Sequence, residues 1–142
     1  MPADDAVEQA LRALRHRERT AGQVDAHLAE RGFGVLEREA AIETLARTGL
    51  VDDRRYAESR AATLALKGAG DAFVRHDLAA AGVDREIVED ALATLDDEAT
   101  HARQVVERRG ASARTVRYLV AKGFPADVAR AVVAESMADA LR

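Results

Sequence analysis

The chain has 142 residues, of which 48% are hydrophobic, 32% charged and only 4% aromatic, a composition typical of an ordered globular chain and not of a disordered one. It contains no cysteine, which excludes disulfides, a thiol nucleophile and thiolate metal sites, and no apolar run approaches the ~20 residues that cross a bilayer. The formal net charge of −4 argues against a protein that only coats nucleic acid, because coating depends on Lys and Arg at the phosphates.

Residues that favour helix fill the chain from end to end. Pro2 and Pro125 are the only prolines, and apolar residues recur three and four positions apart instead of alternating with polar ones. Nine helices are predicted in chain order, at approximately 4–17, 20–31, 35–48, 52–67, 70–81, 84–95, 97–109, 112–122 and 125–140. The sequence therefore predicts an all-α protein.

Several predicted helices begin at residues that can bind free backbone N–H groups. Thr20 and Gln23 have the spacing of a capping box, and Pro125 suits a first helical position. Three aspartates are expected to accept hydrogen bonds from the helices that follow them: Asp52, Asp84 and Asp96. The neighbouring Asp53 is interpreted as a first-turn anion stabilised by the helix dipole, and not as half of a catalytic acid pair.

Three of the predicted helix ends share one pattern. A leucine, a glycine four residues later and an apolar residue directly after the glycine recur at Leu28, Gly32 and Phe33, at Leu78, Gly82 and Val83, and at Leu119, Gly123 and Phe124. This is the spacing of a Schellman motif, in which the leucine contacts the apolar residue beyond the glycine. The glycines are 50 and then 41 residues apart, and a similar three-helix pattern accompanies each of them.

We therefore predict three tandem three-helix repeats, at residues 1–50, 51–95 and 96–142. Each repeat buries its apolar residues within itself and against its neighbours, so the array is expected to be elongated and curved. The two tyrosines and three phenylalanines are too few for one large core, whereas small cores can be filled by Ala, Leu and Val. A compact nine-helix bundle is the structural alternative.

Charged residues form separate blocks of opposite sign. Two arginine clusters, the candidate partner-binding residues, consist of Arg12, Arg15, Arg17 and Arg19, and of Arg103, Arg108, Arg109, Arg114 and Arg117. Between them, residues 84–98 form an acidic stretch in which Arg85 is the only cation. Separate fields of both signs suit a protein partner at least as well as DNA, and the alternative is that these are solvated helix faces.

No pattern of catalytic, cofactor-binding or metal-binding residues is found. Gly68-Ala69-Gly70 lacks the spacing and the preceding strand of a phosphate-binding loop, and the four histidines include no His-x-x-x-His pair. We therefore expect no cofactor, no metal and no catalysis; an uncharacterised helical enzyme would need a polar pocket with perturbed titratable groups. The acidic start Met-Pro-Ala-Asp-Asp differs from a secretory signal, so a cytoplasmic protein is expected.

Short motifs occur in a specific order along the first two thirds of the chain. They begin with Ala10-Leu11, Leu14, Arg15, Arg17-Glu18-Arg19-Thr20, Leu28, Arg31-Gly32-Phe33, Leu45, Gly49-Leu50-Val51-Asp52-Asp53 and Tyr56-Ala57. They continue with Gly70, Val74, Leu78, Gly82-Val83, Ile87, Ala91 and Leu92. In this order the motifs resemble the RecX family of regulatory proteins, over most of residues 10–95, while the last third matches only through the repeat pattern.

The resemblance implies a partner that spacing alone does not supply. RecX proteins bind the bacterial recombinase RecA, lie along the groove of its nucleoprotein filament and suppress its ATPase and strand exchange, without being enzymes. A regulator of homologous recombination, DNA repair and the SOS response is therefore implied. Our hypothesis is that the protein is a monomer and that its arginine clusters contact RecA or the DNA in its filament. The family motif residues are expected to cap and pack helices: Gly32, Phe33, Asp52, Asp53, Tyr56, Ala57 and Gly82.

Two departures from the family pattern bear on these expectations. Arg38 falls where an apolar residue would face the core, so the third helix is expected to be shifted or shortened. Thr20 and Gln23-Val24 stand where the family has Ser and Glu-Leu, which keeps the cap and loses an acid. The alternative function is a stand-alone helical DNA-binding protein that contacts phosphates through its arginines; a sequence-reading helix-turn-helix at residues 12–31 is disfavoured by acidic residues in its second helix.

Overall fold

The structure, a computed structural model, describes residues 2–142 of the chain. Over that range nine α-helices follow one another without a strand. Their bounds are α1 Ala3–Leu14, α2 Ala21–Glu30, α3 Val35–Arg47, α4 Asp53–Leu66, α5 Asp71–Ala80, α6 Arg85–Ala93, α7 Glu98–Arg109, α8 Ala113–Ala121 and α9 Ala126–Ala140. The predicted all-α fold is confirmed.

Two helices end earlier than the sequence pattern predicts. Helix α1 ends at Leu14 and not near residue 17, because the chain turns back and the Arg19 side chain donates to the free carbonyl of Ala13 (Nε to O, 3.2 Å). Helix α6 ends at Ala93 and not at residue 95, because Thr94 tightens the last turn by binding the carbonyl of Ala91 through both its backbone N–H and its hydroxyl.

The helix caps agree with the sequence at some positions and differ at others. The capping box of Thr20 and Gln23 is present, and Asp52 accepts from the backbone of Arg55. The prediction was wrong for Asp84, whose side chain makes no cap hydrogen bond, and for Asp96, which accepts from Gln104 while its neighbour Asp97 caps α7. Pro125 precedes α9 as its N-cap and is not its first residue.

The three similar helix ends are Schellman motifs, as predicted. The backbone N–H groups of Phe33, Val83 and Phe124 donate to the backbone carbonyls of Leu28, Leu78 and Leu119, respectively, at N–O distances of 3.1, 3.1 and 3.0 Å. The intervening glycines have positive φ angles, and the three leucines are fully buried at the centres of three separate hydrophobic clusters. The first cluster lies among α1–α3, the second among α4–α6 and the third among α7–α9, and these helix triplets are named units 1, 2 and 3.

The arrangement of the units is extended. Every pair of helices in extensive contact consists of two helices of the same unit, so the described residues form no core that all nine helices share. The accessible surface is 8486 Å², whereas a compact monomer of 15.3 kDa is expected to expose about 7,100 Å². These two observations favour the elongated array over the compact nine-helix bundle.

Arg38 does not shift or shorten the third helix, contrary to the expectation from sequence. Helix α3 runs over thirteen residues, and the Arg38 side chain donates to the Asp25 carboxylate (2.8 Å) and to the carbonyl of Phe33 (2.8 Å). The guanidinium thus binds polar groups between α2 and α3, and these charge-assisted hydrogen bonds explain why an arginine is tolerated at a mostly buried position.

Two of the hydrogen bonds that join units 1 and 2 lie at the beginning of α2. The hydroxyl of Thr20, the N-cap of α2, donates to the carbonyl of Ala81, the C-cap of α5. The backbone N–H of Ala21, the first residue of α2, donates to the carboxylate of Asp53 at 2.8 Å. Asp53 is the first residue of α4, so a free N–H at one helix start is bound by a carboxylate at another.

Units 2 and 3 are joined by an equivalent pair of hydrogen bonds, formed by different residues. The backbone N–H of Gly70, the N-cap of α5, donates to the carbonyl of Lys122, the C-cap of α8, at 2.8 Å. The N–H of Asp71, the first residue of α5, donates to the carboxylate of Glu98, the first residue of α7, at 3.0 Å. At each joint, the start of the middle helix of one unit therefore binds two groups of the following unit. One is the backbone carbonyl at the end of its middle helix, and the other is the carboxylate of the first residue of its first helix.

Glycine permits the close approach of backbones at both joints. A Cβ added to Gly22 would lie 3.3 Å from the Cα of Gly82. At the second joint the fit is tighter, because a Cβ added to Gly70 would lie 2.7 Å from the carbonyl carbon of Gly123. His101 packs beside this joint, with its Nε2 2.9 Å from the carbonyl oxygen of Ala65, and it is buried.

The second joint also places two carboxylates in a partly dry environment. Burial raises the pKa of Asp71 and the pKa of Glu98, and a nearby carboxylate adds to the rise in each case, Glu89 at Asp71 and Asp71 at Glu98. The charges of Arg75 and His101 oppose both rises, and the hydrogen bond from the Asp71 backbone N–H opposes the rise at Glu98. A raised folded-state pKa means that the folded chain binds these protons more tightly than the unfolded chain does. The contribution of these groups to stability is thus greatest at low pH and is lost as the pH rises through their folded pKa values.

Replacing Glu98 by Gln should therefore remove part of the pH dependence of stability. The amide oxygen still accepts from Asp71, but the charge is gone, so E98Q is expected to be more stable than the parent chain near pH 7 and to lose that advantage near pH 4. The difference should stay below about 1 kcal/mol, because water screens both partly exposed carboxylates. Urea unfolding at the two pH values measures it, and a difference that does not change with pH would contradict the assignment.

Candidate partner-binding surface

The structure divides the first arginine cluster. The Arg12 guanidinium lies 3.2 Å from the Glu8 carboxylate one turn earlier on α1, and Arg19 is bound to the end of α1. Arg15 and Arg17 lie in the exposed turn after α1, and among residues 2–142 no carboxylate lies within ion-pair distance of either guanidinium. Within the first cluster, Arg15 and Arg17 are thus the two exposed arginines that no described carboxylate pairs with.

The second cluster converges on one surface depression, with one exception. Arg103 lies on another face of α7 and pairs with Glu135 of α9 at 2.8 Å. The other four arginines line a depression of about 760 Å³ between the end of α7 and the start of α8: Arg108, Arg109, Arg114 and Arg117. We call this the arginine depression.

No carboxylate of residues 2–142 pairs with the arginines of the arginine depression. All four arginines are exposed, and within the described part of the chain none has a carboxylate within 4.0 Å. The Arg109 guanidinium lies over the ring of Tyr118, 3.6 Å from its centroid, which fixes the charge at the rim. Unpaired, fixed cations of this kind attract anions such as carboxylates and phosphates.

The family motif residues lie in the cores, at the caps and at the first joint. Phe33 and Ala57 are buried in the clusters of units 1 and 2, and Tyr56 packs against the cluster of unit 2. Gly32 and Gly82 have φ angles of 88° and 84° at the ends of α2 and α5. Asp52 caps α4, and Asp53 binds the Ala21 N–H across the joint.

The role of Asp53 as a joint residue was missed by sequence reasoning, which assigned it to its own helix. The signal that could have found it is the repeat itself, since an acid begins the first helix of units 2 and 3 alike, at Asp53 and Glu98. A carboxylate at an equivalent position in two repeats indicates a contact that is also repeated.

Residues 2–142 contain neither a membrane-spanning helix nor a cluster of metal-binding side chains. No helix there is long and apolar enough to cross a membrane. The same residues include no group of three or more His, Asp or Glu side chains that could hold a metal ion.

Comparisons with known proteins agree on one family. A family described as "RecX, second three-helix domain" matches residues 52–92, which lie in unit 2. The regulatory protein RecX of Thermus thermophilus is 37% identical over 126 residues, covering 88% of this chain and 87% of the relative. The regulatory protein RecX of Geobacillus kaustophilus is 34% identical over 143 residues, and there this chain spans only 53% of the relative's length.

Solved structures show the same fold. The crystal structure of RecX from Lactobacillus salivarius matches with a TM-score of 0.77 at 24% identity, over 94% of this chain and 95% of that one. A second crystal structure of a regulatory protein RecX matches with the same TM-score over 92% of this chain and 72% of that one. With the Thermus relative matched along almost its whole length, this chain belongs to the RecX family of regulatory proteins.

Proposed function

We propose that this protein binds the nucleoprotein filament of the bacterial recombinase RecA and lowers its ATPase and strand-exchange activities, in the regulation of recombination and DNA repair. The observation that carries the proposal is the set of unneutralised arginines on a member of the RecX family. Such cations suit acidic protein surface or the phosphates of filament-bound DNA. Regulation then takes place by binding, without catalysis and as a monomer in the cytoplasm.

Free arginines in units 1 and 3 define two contact regions on one extended molecule. Arg15 and Arg17 lie in unit 1 and the arginine depression lies in unit 3, with unit 2 between them. A chain of this form contacts more than one subunit of a regular filament. If it binds one filament conformation more tightly than another, it shifts the population toward that conformation and so changes the ATPase rate.

Charge reversal in either region should weaken inhibition of the recombinase. With Arg114→Glu and Arg117→Glu combined, the concentration needed to halve the DNA-dependent ATPase rate of RecA is expected to rise about tenfold, which corresponds to roughly 1.4 kcal/mol. Reversal of Arg15 and Arg17 should act in the same direction. Arg12→Glu with Glu8→Arg exchanges the partners of an existing ion pair without a change of net charge, and it serves as the control for rearrangement of surface charge.

An absence of inhibition by the unaltered protein, even at a concentration equal to that of RecA, would overturn the proposal. A second candidate function, direct binding to DNA through phosphates, is favoured by the same arginine depression. It predicts that the protein binds oligonucleotides without RecA and that the affinity falls steeply with salt. Fluorescence anisotropy at low and moderate salt separates the two candidates.

A further inference from the structure

A second depression, mostly apolar, lies beside the arginine depression. Its volume is about 430 Å³, and it is formed at the junction of units 2 and 3 by the ends of α4 and α6 and by α7. Ala62, Leu66 and Leu95 line it, and the Leu66 side chain is 80% exposed. A leucine so exposed beside a concave apolar surface is available for contact with an apolar side chain of another molecule.

Arg108 connects this apolar pocket with the arginine depression. The residue lines the apolar pocket, the arginine depression and a third concavity of about 340 Å³ that lies between them. Leu66 lines both the apolar pocket and that third concavity, which also contains Lys67 and Arg109. One continuous surface thus offers an apolar pocket at one end and four arginines at the other.

The arginine depression also occupies the position at which a following unit would join. The starts of α2 and α5 are bound by the next unit, which delivers a carboxylate to the backbone N–H of Ala21 and Asp71. The equivalent start of α8, at Ser112 and Ala113, lines the arginine depression. At both internal joints, the group that this chain places in that position is a carboxylate.

The start of α8 differs from the helix starts that bind a following unit. Close backbone approach uses Gly22 two residues after the cap of α2 and Gly70 at the cap of α5, whereas α8 has Arg114 and Ser112 at these places. A long cation there suits an anionic group that approaches at side-chain distance.

We propose that this surface of unit 3 holds an acidic, extended segment of a partner protein, with one apolar side chain in the pocket beside Leu66 and carboxylates on the arginine depression. Charge complementarity supports the acidic part, because four arginines there lack carboxylate partners within residues 2–142. The proposal deepens the proposed function and rests on it only for the identity of the partner.

Nucleic acid fits the same surface less well. Asp96 lines the apolar pocket, and its carboxylate disfavours any anionic group there, so the pocket suits an apolar side chain and not a phosphate. The face of the Tyr118 ring that Arg109 covers is not free to stack on a base. An apolar pocket adds nothing to phosphate binding, whereas it buries a Leu or Phe side chain of a peptide.

The test measures direct binding of the full chain to defined probes by fluorescence anisotropy. The probes are a short fluorescein-labelled peptide of Glu and Asp with one central Leu, the same peptide with Ala in place of that Leu, and an oligothymidylate of equal net charge. The Leu peptide is expected to bind at least fivefold more tightly than the Ala peptide and than the oligothymidylate. Ala62→Trp, which fills the pocket at an exposed position, should abolish the preference for Leu and leave binding of the Ala peptide unchanged.

Charge variants locate the binding. Arg114→Glu with Arg117→Glu should weaken both peptides about tenfold, whereas Arg15→Glu with Arg17→Glu, the same change of net charge outside the depression, should leave peptide binding within twofold. Equal loss in both variants, or tighter binding of the oligothymidylate, overturns the inference. If the Leu peptide binds as expected while the RecA ATPase is unaffected, the proposed function fails and this inference stands. If the protein inhibits RecA but does not bind the peptides, the proposed function stands and this inference fails.

Discussion

Replacing Gly70 by Ala is expected to destabilise the protein by about 2–3 kcal/mol through the joint between units 2 and 3. The added Cβ would lie 2.7 Å from the carbonyl carbon and oxygen of Gly123 and 2.8 Å from the backbone nitrogen of Phe124. These are backbone atoms that cannot rotate away, so the units must separate and the hydrogen bond from Gly70 to Lys122 is lost. Urea unfolding followed by circular dichroism measures the change in unfolding free energy.

Gly34→Ala is the matched control for this substitution. Gly34 and Gly70 are both N-caps with extended backbone and without a side-chain cap, so the effect of alanine on helix initiation is the same at both positions. The atom that a Cβ at Gly34 would meet is the end of the flexible Glu37 side chain, which can rotate aside. If both variants lose the same free energy, the close approach of units 2 and 3 does not contribute to stability.

The helices and their ends were largely predictable from sequence, because they depend on local chemistry. The Schellman ends and the capping box of Thr20 involve residues no more than five positions apart, and the chain specifies them without reference to the fold. The joints were not predictable in this way. Gly70 and Gly123 meet only after two units have folded, and glycine at a helix start or end has an ordinary local explanation that conceals the contact.

The candidate surface shows a similar division between local and long-range information. Sequence proximity grouped Arg103 with Arg108, but five residues turn a helix by more than a third of a circle, and Arg103 instead meets Glu135 of α9. The pair of Arg12 with Glu8 has the spacing of a helix ion pair and could have been recognised from the sequence. The apolar pocket beside Leu66 could not, because three helices of two units form it.

Separate cores joined by few contacts lead to a further expectation about stability. We propose that the three units, predicted at residues 1–50, 51–95 and 96–142, open independently, since each hydrophobic cluster involves one helix triplet. The joints then couple neighbours through a glycine contact and a small set of polar contacts each, which include the Arg55–Glu18 ion pair at the first joint and the His101–Ala65 contact at the second. Damage to the core of one unit should stay mainly within that unit.

Leu119→Ala is expected to lower the opening free energy of unit 3 by about 3 kcal/mol, within the range of about 2–5 kcal/mol observed for buried leucines. The side chain is fully buried in the third cluster, beside Phe124 and Val132, so its removal leaves a cavity. Amide hydrogen exchange followed by mass spectrometry should show faster exchange across α7–α9 and unchanged exchange in α1–α3.

Leu28→Ala is the mirror experiment, because Leu28 holds the equivalent place in unit 1 and is equally buried. It should accelerate exchange in α1–α3 and leave α7–α9 unchanged, with an effect of similar size. Uniform acceleration over all nine helices in either variant would show that the joints make the chain one cooperative unit. In that case Gly70→Ala should accelerate exchange in unit 1 as well as in units 2 and 3, so the two sets of variants test one property of the molecule by independent routes.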